Sequence, residues 1–315
     1  MAWGAQMRQI AIIDIPGPPG FDQAVFAHGM LVLAHSAGDT LDIFDPARRR
    51  VVAQVPGMSD PHGLAVDAKR DQIYVANAGG KNIAVVSAKD WKLERTIPLE
   101  FPPFSLALAP DGRRLMIGNW ANRSLSVLDL AGGDKVSTLD LNGSPAALEF
   151  DGKRPALFIT LQDTAELVVV DTNSLTVVKR YSLTASQPTA LAIDGAARRV
   201  YVAVRHAVLS LNADTGAEVG RAAAPAGADC LWLEPPTGVL YVASGGGFID
   251  TYSTEGGKLS ALEEVRTEVR GRSVAFDPVR KFVFLPGGRE GRSKLLILKQ
   301  LSVPGAVATE QLATK

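Results

Sequence analysis

The stretch from Pro61 to Ile97 reads PHGLAVDAKRDQIYVANAGGKNIAVVSAKDWKLERTI, and it returns along the chain in altered form with a period of 42 residues. Within it, Gly63-Leu64-Ala65-Val66 is a short apolar run, Lys69-Arg70-Asp71 a polar turn, and Ile73-Tyr74-Val75-Ala76 a β-branched and aromatic run. An Asn/Gly stretch from Asn77 to Asn82 follows, then Ile83-Ala84-Val85-Val86, then the alternating Lys92-Leu93-Glu94-Arg95-Thr96-Ile97. Apolar runs of four bounded by turn residues are too short for helices and predict strands. One copy therefore predicts four antiparallel strands.

Working outward, the second run of each copy begins at Leu31, Ile73, Leu115, Leu157, Val200, Leu240 and Phe282, in steps of 42, 42, 42, 43, 40 and 42. The third run begins at Leu41, Ile83, Leu125, Leu167, Val208, Ile249 and Leu295. Ahead of them stands the ladder Leu64, Leu106, Leu148, Leu191, Leu231 and Val274, with Pro61, Pro103, Pro145 and Pro188 three residues before its first four members. Proline there sets the chain's path into a strand without removing a central ladder bond.

So constant a period marks repeat architecture, and four strands per copy in seven copies predict an all-β, seven-bladed β-propeller. The inner runs are apolar on both faces because each blade packs between two others. The last copy supplies only three strands, Ser273 to Phe276, Lys281 to Phe284 and Lys294 to Leu298. The N-terminal stretch Arg8 to Gly17 matches the fourth-strand ending Val52 to Gly57 and is predicted to complete blade seven, closing the ring and removing an open edge. The expected division is a closing strand at 7–17, blades at 21–58, 59–100, 101–142, 143–185, 186–226, 227–271 and 272–303, and a polar tail at 304–315.

Tyr74-Val75-Ala76-Asn77 and the parallel PFSLALAPDGRRLMIGNWANRSLSVLDL of the third copy resemble the YVTN-type, YncE-like β-propeller repeat. The resemblance covers about 290 residues and is strongest in copies two to four. Arg205-His206 shortens one loop relative to it and Pro286 to Ser293 lengthens another. It implies the propeller fold and, for location, a periplasmic, surface-layer or other exported setting. It implies no particular reaction.

Lys plus Arg and Asp plus Glu both number 33, so the net charge is zero and no basic field favours phosphate binding. The lone Cys230 opens the apolar run Cys230 to Leu233 and reads as a small buried hydrophobe. No apolar run approaches the roughly 18 residues of a bilayer span. Met1 to Gln6 shows neither a basic nor an apolar leader segment, so the stretch reads as no signal peptide. The expected state is a monomer.

In a propeller the loops entering first strands and leaving second strands converge on one end of the channel. One ring of positions, one residue past each proline position, comprises His62, Phe104, Ala146, Thr189, Asp229 and Arg272, with Asp22 or Gln23 from blade one. A second ring, four past each second-strand marker, comprises His35, Asn77, Asn119, Leu161, Val204, Ser244 and Pro286. His and Asn from blades one to three could hydrogen-bond a polar ligand or ligate a cation. Trp120, beside Asn119 in a polar loop, offers a stacking platform, and Arg205 lies in a loop of the same face. The expected ligand site is therefore His35, His62, Asn77, Asn119, Trp120, Arg205, Asp229 and Arg272. His28, in a first-to-second-strand turn, falls at the other end. Asp45, Asp129, Asp171 and Asn212 end third strands and are read as turn caps.

Sequence patterns for zinc hydrolases, CxxC chemistry, nucleophile elbows and phosphate loops are missing; Gly79-Gly80-Lys81 continues with Asn82 where a phosphate loop needs Ser or Thr. The leading expectation is a non-catalytic propeller that binds a small polar molecule or a protein at the channel mouth, with no cofactor. An alternative is a metal-dependent, lactonase-like hydrolase or lyase, which would need a divalent cation on His35, Asn77, Asn119 and Asp229. Single-stranded DNA binding is a further alternative that zero net charge disfavours.

Overall fold

The computed structural model describes residues 7–301. The expectations for Met1 to Gln6 and for the tail at 304–315 concern residues outside that range. Seven four-stranded antiparallel sheets make up the described residues, six of them with their strands in sequence order. Blade two is made of Pro61–Asp67, Gln72–Asn77, Asn82–Ser87 and Leu93–Pro98.

The seventh sheet is completed from the other end of the chain. Met7–Asp14 pairs antiparallel with Arg292–Gln300, running from Met7 opposite Gln300 to Asp14 opposite Lys294, with one register shift between Gln9 and Ala11. Lys294 Nζ reaches Asp14 Oδ1 at 2.5 Å across this seam. Both edges that an open chain of blades would leave are thereby paired within one sheet.

The core lies between blades. On the second strand of blade two, Ile73 and Val75 pack toward blade one with Val32, Ala34 and Ile43, while Tyr74 and Ala76 pack toward blade three with Leu115, Ile117 and Leu128. Two buried faces explain the unbroken apolar runs. Tyr74, Phe158, Tyr201, Tyr241 and Phe284 occupy one equivalent place in five blades, each opposite a first-strand residue, and all are at most 1% exposed. Each buried aromatic contributes on the order of 2–3 kcal/mol from apolar burial.

Turns follow a shared device. Asp45 Oδ1 accepts from the Ala47 and Arg48 amides, Asp129 from Ala131 and Gly132, Asp171 from Asn173 and Ser174, and Asn212 from Asp214 and Thr215. Short polar side chains that bond the backbone two and three residues on lock the reversal.

The long loop expected at Pro286 to Ser293 is not a loop. Phe282–Arg289 and Arg292–Gln300 stay paired to the tip, where Arg289 faces Arg292. Glu290 at φ 52° and Gly291 at φ 73° make the two-residue turn whose twist suits a hairpin.

Candidate functional site

The innermost strands turn one edge toward the central channel, so their outward N–H and C=O groups need partners. Neighbouring blades supply several. Gly63 N donates to Phe104 O at 2.8 Å, Gln23 Oε1 accepts from Leu64 N at 2.5 Å, and Thr189 Oγ1 donates to Ala228 O at 2.5 Å. What remains is a cavity of about 580 Å³ to which all seven blades contribute.

The residues one past the proline positions take their places around it. Asp22, Phe104, Ala146, Thr189, Asp229 and Arg272 all line the cavity, as does Trp120. His62 stands just behind Asp22, with Nδ1 2.5 Å from Asp22 Oδ2 and Nε2 3.1 Å from Asp60 Oδ2. Burial draws its pKa down, but the bonds and charges of Asp22 and Asp60 outweigh that and raise it above the ordinary histidine value. With a carboxylate at each ring nitrogen, the favoured form is the imidazolium.

The mouth is chemically two-sided. On blades two to four, the His62 ring lies 4.8 Å from Phe104, and Phe104 lies 6.5 Å from Trp120. Trp120, 42% exposed, is held by Nε1 donating to Gln162 Oε1 at 3.0 Å. On blades six and seven, Arg272 Nη1 stands 3.9 Å from Asp229 Oδ2. Burial raises the Asp229 pKa, Arg272 opposes the rise, and Asp22 adds to it. An aromatic arc thus stands apart from a carboxylate–guanidinium pair.

Deeper on the wall sits Glu149, which sequence reading missed. It lies on the first strand of blade four, Pro145–Phe150, three residues beyond Ala146. Its Oε1 accepts from Ile193 N at 3.3 Å, and the side chain lines the cavity. Burial pushes its carboxyl up to about 8, opposed only by that amide. Cys230 shares the wall; its Sγ lies 3.7 Å from Val274 O, and burial pushes the thiol up.

The second ring does not reach the cavity. His35 is fully buried, with Nδ1 2.7 Å from Asp42 Oδ2, Nε2 2.6 Å from Pro18 O, and its ring stacked 4.2 Å from Phe21. Asn77 Oδ1 accepts from the Ser59 amide and Nδ2 donates to Asn82 Oδ1 at 3.1 Å. Asn119 Nδ2 donates to Ser124 and Ser126 hydroxyls at 3.1 and 2.8 Å. These side chains end second strands and fold against the third strand or the segment that enters their own blade, so their role is in holding the blade ends. The donor set His35, Asn77, Asn119 and Asp229 is accordingly not brought together, and among the described residues no three His, Cys, Asp or Glu side chains converge as a metal site. Arg205 is exposed in the tight turn between Val204 and Ala207 and does not line the cavity. His28, in the turn between Ala24–Ala27 and Met30–His35, meets Asp71 at 3.0 Å.

Comparison with known proteins agrees with this architecture. Over 147 residues the chain is 27% identical to the uncharacterized protein YncE of Salmonella typhimurium, covering 45% of this chain and 41% of YncE. Over 171 residues it is 26% identical to protein NirF of Pseudomonas aeruginosa, covering 49% of this chain and 43% of NirF. The matches thus span less than half the length of these curated relatives. In three dimensions, a chain of Kuenenia stuttgartiensis hydrazine synthase superposes with a TM-score of 0.78 over 92% of this chain and 98% of that one, at 15% identity, a likeness of fold alone. The family model described as YNCE-like beta-propeller matches residues 22–207, and the chain belongs to that family.

Proposed function

We propose that this propeller is a binding module whose channel mouth takes a small amphipathic molecule, with no bond made or broken by the protein. The observation that carries the reading is the cavity itself. Its volume of about 580 Å³ falls within the range of small-molecule sites, and its wall joins aromatic rings to a few polar groups. Phe104 and Trp120 would take an apolar body, while Asp229, Arg272 and Thr189 would orient a polar end. A rigid ring needs no rearrangement to present such a site, which limits the entropy lost on binding.

A ligand screen by thermal shift on the full chain tests this. A compound that raises the melting temperature of the unaltered protein should lose most of that effect in Phe104→Ala and in Trp120→Ala. Compounds that stabilise all three proteins equally would speak against the mouth as the site.

The hydrolase alternative rests on a cation at the mouth, whereas His35 and Asn77 spend their ligating atoms in hydrogen bonds at the blade ends, and Asn119 is buried outside the cavity wall with Oδ1 unpartnered. Metal analysis of the purified protein tests it directly. Nucleic-acid binding finds little support in a wall bearing Asp22, Glu149 and Asp229. Among the described residues no helix is long and apolar enough to cross a membrane.

A further inference from the structure

Glu149 breaks a pattern. The first-strand positions that face the equivalent second-strand residue in the other blades are Val25, Ala65, Ala107, Ala192, Trp232 and Ala275. A carboxyl among apolar counterparts costs stability by desolvation. Capping the Ile193 amide uses only Oε1, and a glutamine would do that as well without a charge. The second oxygen, Oε2, has no protein partner among the described residues, and the side chain borders open space in the channel.

The charges around it favour one kind of guest. The titratable side chains sharing the cavity wall are Asp22, Asp229, Cys230 and Arg272. Among the described residues lining the cavity Arg272 is the one cation, and it is already 3.9 Å from Asp229. No cationic side chain acts on Glu149. An anion would meet three carboxyl groups, whereas an ammonium would find an uncommitted oxygen at the depth and ring faces at the mouth. Three strand residues separate Ala146 at the mouth from Glu149, at most about 10 Å along a strand whose register is interrupted between Pro145 and Leu148.

We infer that the channel binds an organic monocation, a primary ammonium joined to an apolar or aromatic body by a spacer of a few carbons, with Glu149 receiving the ammonium and Phe104 and Trp120 receiving the body. The inference rests on the reading of the mouth as a ligand site and adds the ligand's charge. Because the free carboxyl holds its proton near neutrality, capture of the ammonium releases that proton, and affinity rises with pH until the carboxylate is fully formed.

The test uses two probes of one shape, 4-phenylbutylamine and its neutral counterpart 4-phenylbutan-1-ol, titrated calorimetrically into the full chain and its Glu149→Gln and Trp120→Ala variants at pH 6.5 and 9. The expected result is amine binding at least tenfold tighter than alcohol binding at pH 9, an advantage that shrinks at pH 6.5. Glu149→Gln should remove the advantage of the amine over the alcohol, and Trp120→Ala should weaken both probes. If the amine has no advantage at pH 9, or keeps it in Glu149→Gln, while Trp120→Ala still weakens both, the charge assignment is overturned and the mouth stands as a site. If neither probe binds at millimolar concentration, or Trp120→Ala changes neither, both readings are overturned.

Discussion

His35 and Asp42 form a fully buried pair, Nδ1 to Oδ2 at 2.7 Å, whose second ring nitrogen faces the Pro18 carbonyl at 2.6 Å. Both contacts are to oxygens that only accept, so the satisfied ring carries two protons. Asp42 accepts further from Thr40 and Gln54 at 2.8 and 3.0 Å, and Gly17 and Gly38 leave the ring room that a methyl group would fill at under 3.0 Å. The arrangement ties the segment after the closing strand to blade one.

Burial lowers the His35 pKa, but the bonds to Asp42 and Pro18 overcome it and the net shift is upward. A raised folded-state value means the unfolded chain sheds its proton first as pH rises. The stabilisation is therefore complete below about pH 6.5, the unfolded value, and is lost as pH climbs through the folded one. Asp42→Asn should cost about 3 kcal/mol at pH 6 by leaving a buried cation unpaired. The difference between the two proteins in urea midpoint should narrow at alkaline pH, and a difference independent of pH would show the ring to be neutral.

Removal of the closing strand is expected to be more damaging. Ile10, Ala11 and Ile13 pack into the core between blades seven and one, and Met7 and Ile12 into the core between blades six and seven. Deleting residues 7–17 should cost on the order of 5 kcal/mol and lower the melting temperature clearly. A synthetic peptide of the same residues, added in excess, should restore part of it by mass action. An unchanged melt would contradict closure through this seam.

Trp120→Ala should separate stability from function. The ring is partly exposed and its bond to Gln162 lies at the surface, so urea unfolding should change by no more than about 0.5–1 kcal/mol. Affinity for a mouth ligand should fall tenfold or more, as for an aromatic anchor.

Glu149→Gln should stabilise the protein at alkaline pH. The folded-state carboxyl, at about 8, lies above the ordinary glutamate value of about 4.3, so wild-type stability falls as pH rises between the two. The glutamine variant, which keeps an acceptor for Ile193 N, has no such loss. The gain at pH 9 should be on the order of 1–2 kcal/mol once screening by channel water is allowed for, and a loss there would mean that the carboxylate has a stabilising partner.

The blades, their order and the closing strand were legible because apolar runs on a fixed period have few architectures that bury both faces. The ring one past the prolines was legible too, since that position lines the channel in six of the seven blades, His62 alone standing behind Asp22. The ring of His35, Asn77 and Asn119 was misread because a polar residue at a strand end looks the same whether it faces solvent or its own blade. The clue lay one residue past each third-strand marker. Asp42 and Ser126 stand there in the blades of His35 and Asn119, while Val168 and Leu209 stand there in the blades of Leu161 and Val204. Polar partners travel together when they bond each other. Glu149 could have been found similarly, as the lone acid among equivalent apolar positions.

The most direct measurement is hydrogen–deuterium exchange on the full chain with and without a ligand that raises its melting temperature. New protection is expected in the segments 103–106, 120–123, 145–149 and 228–231, which border the channel mouth and wall. Protection confined to the outer fourth strands, with these segments unchanged, would contradict a ligand site at the mouth.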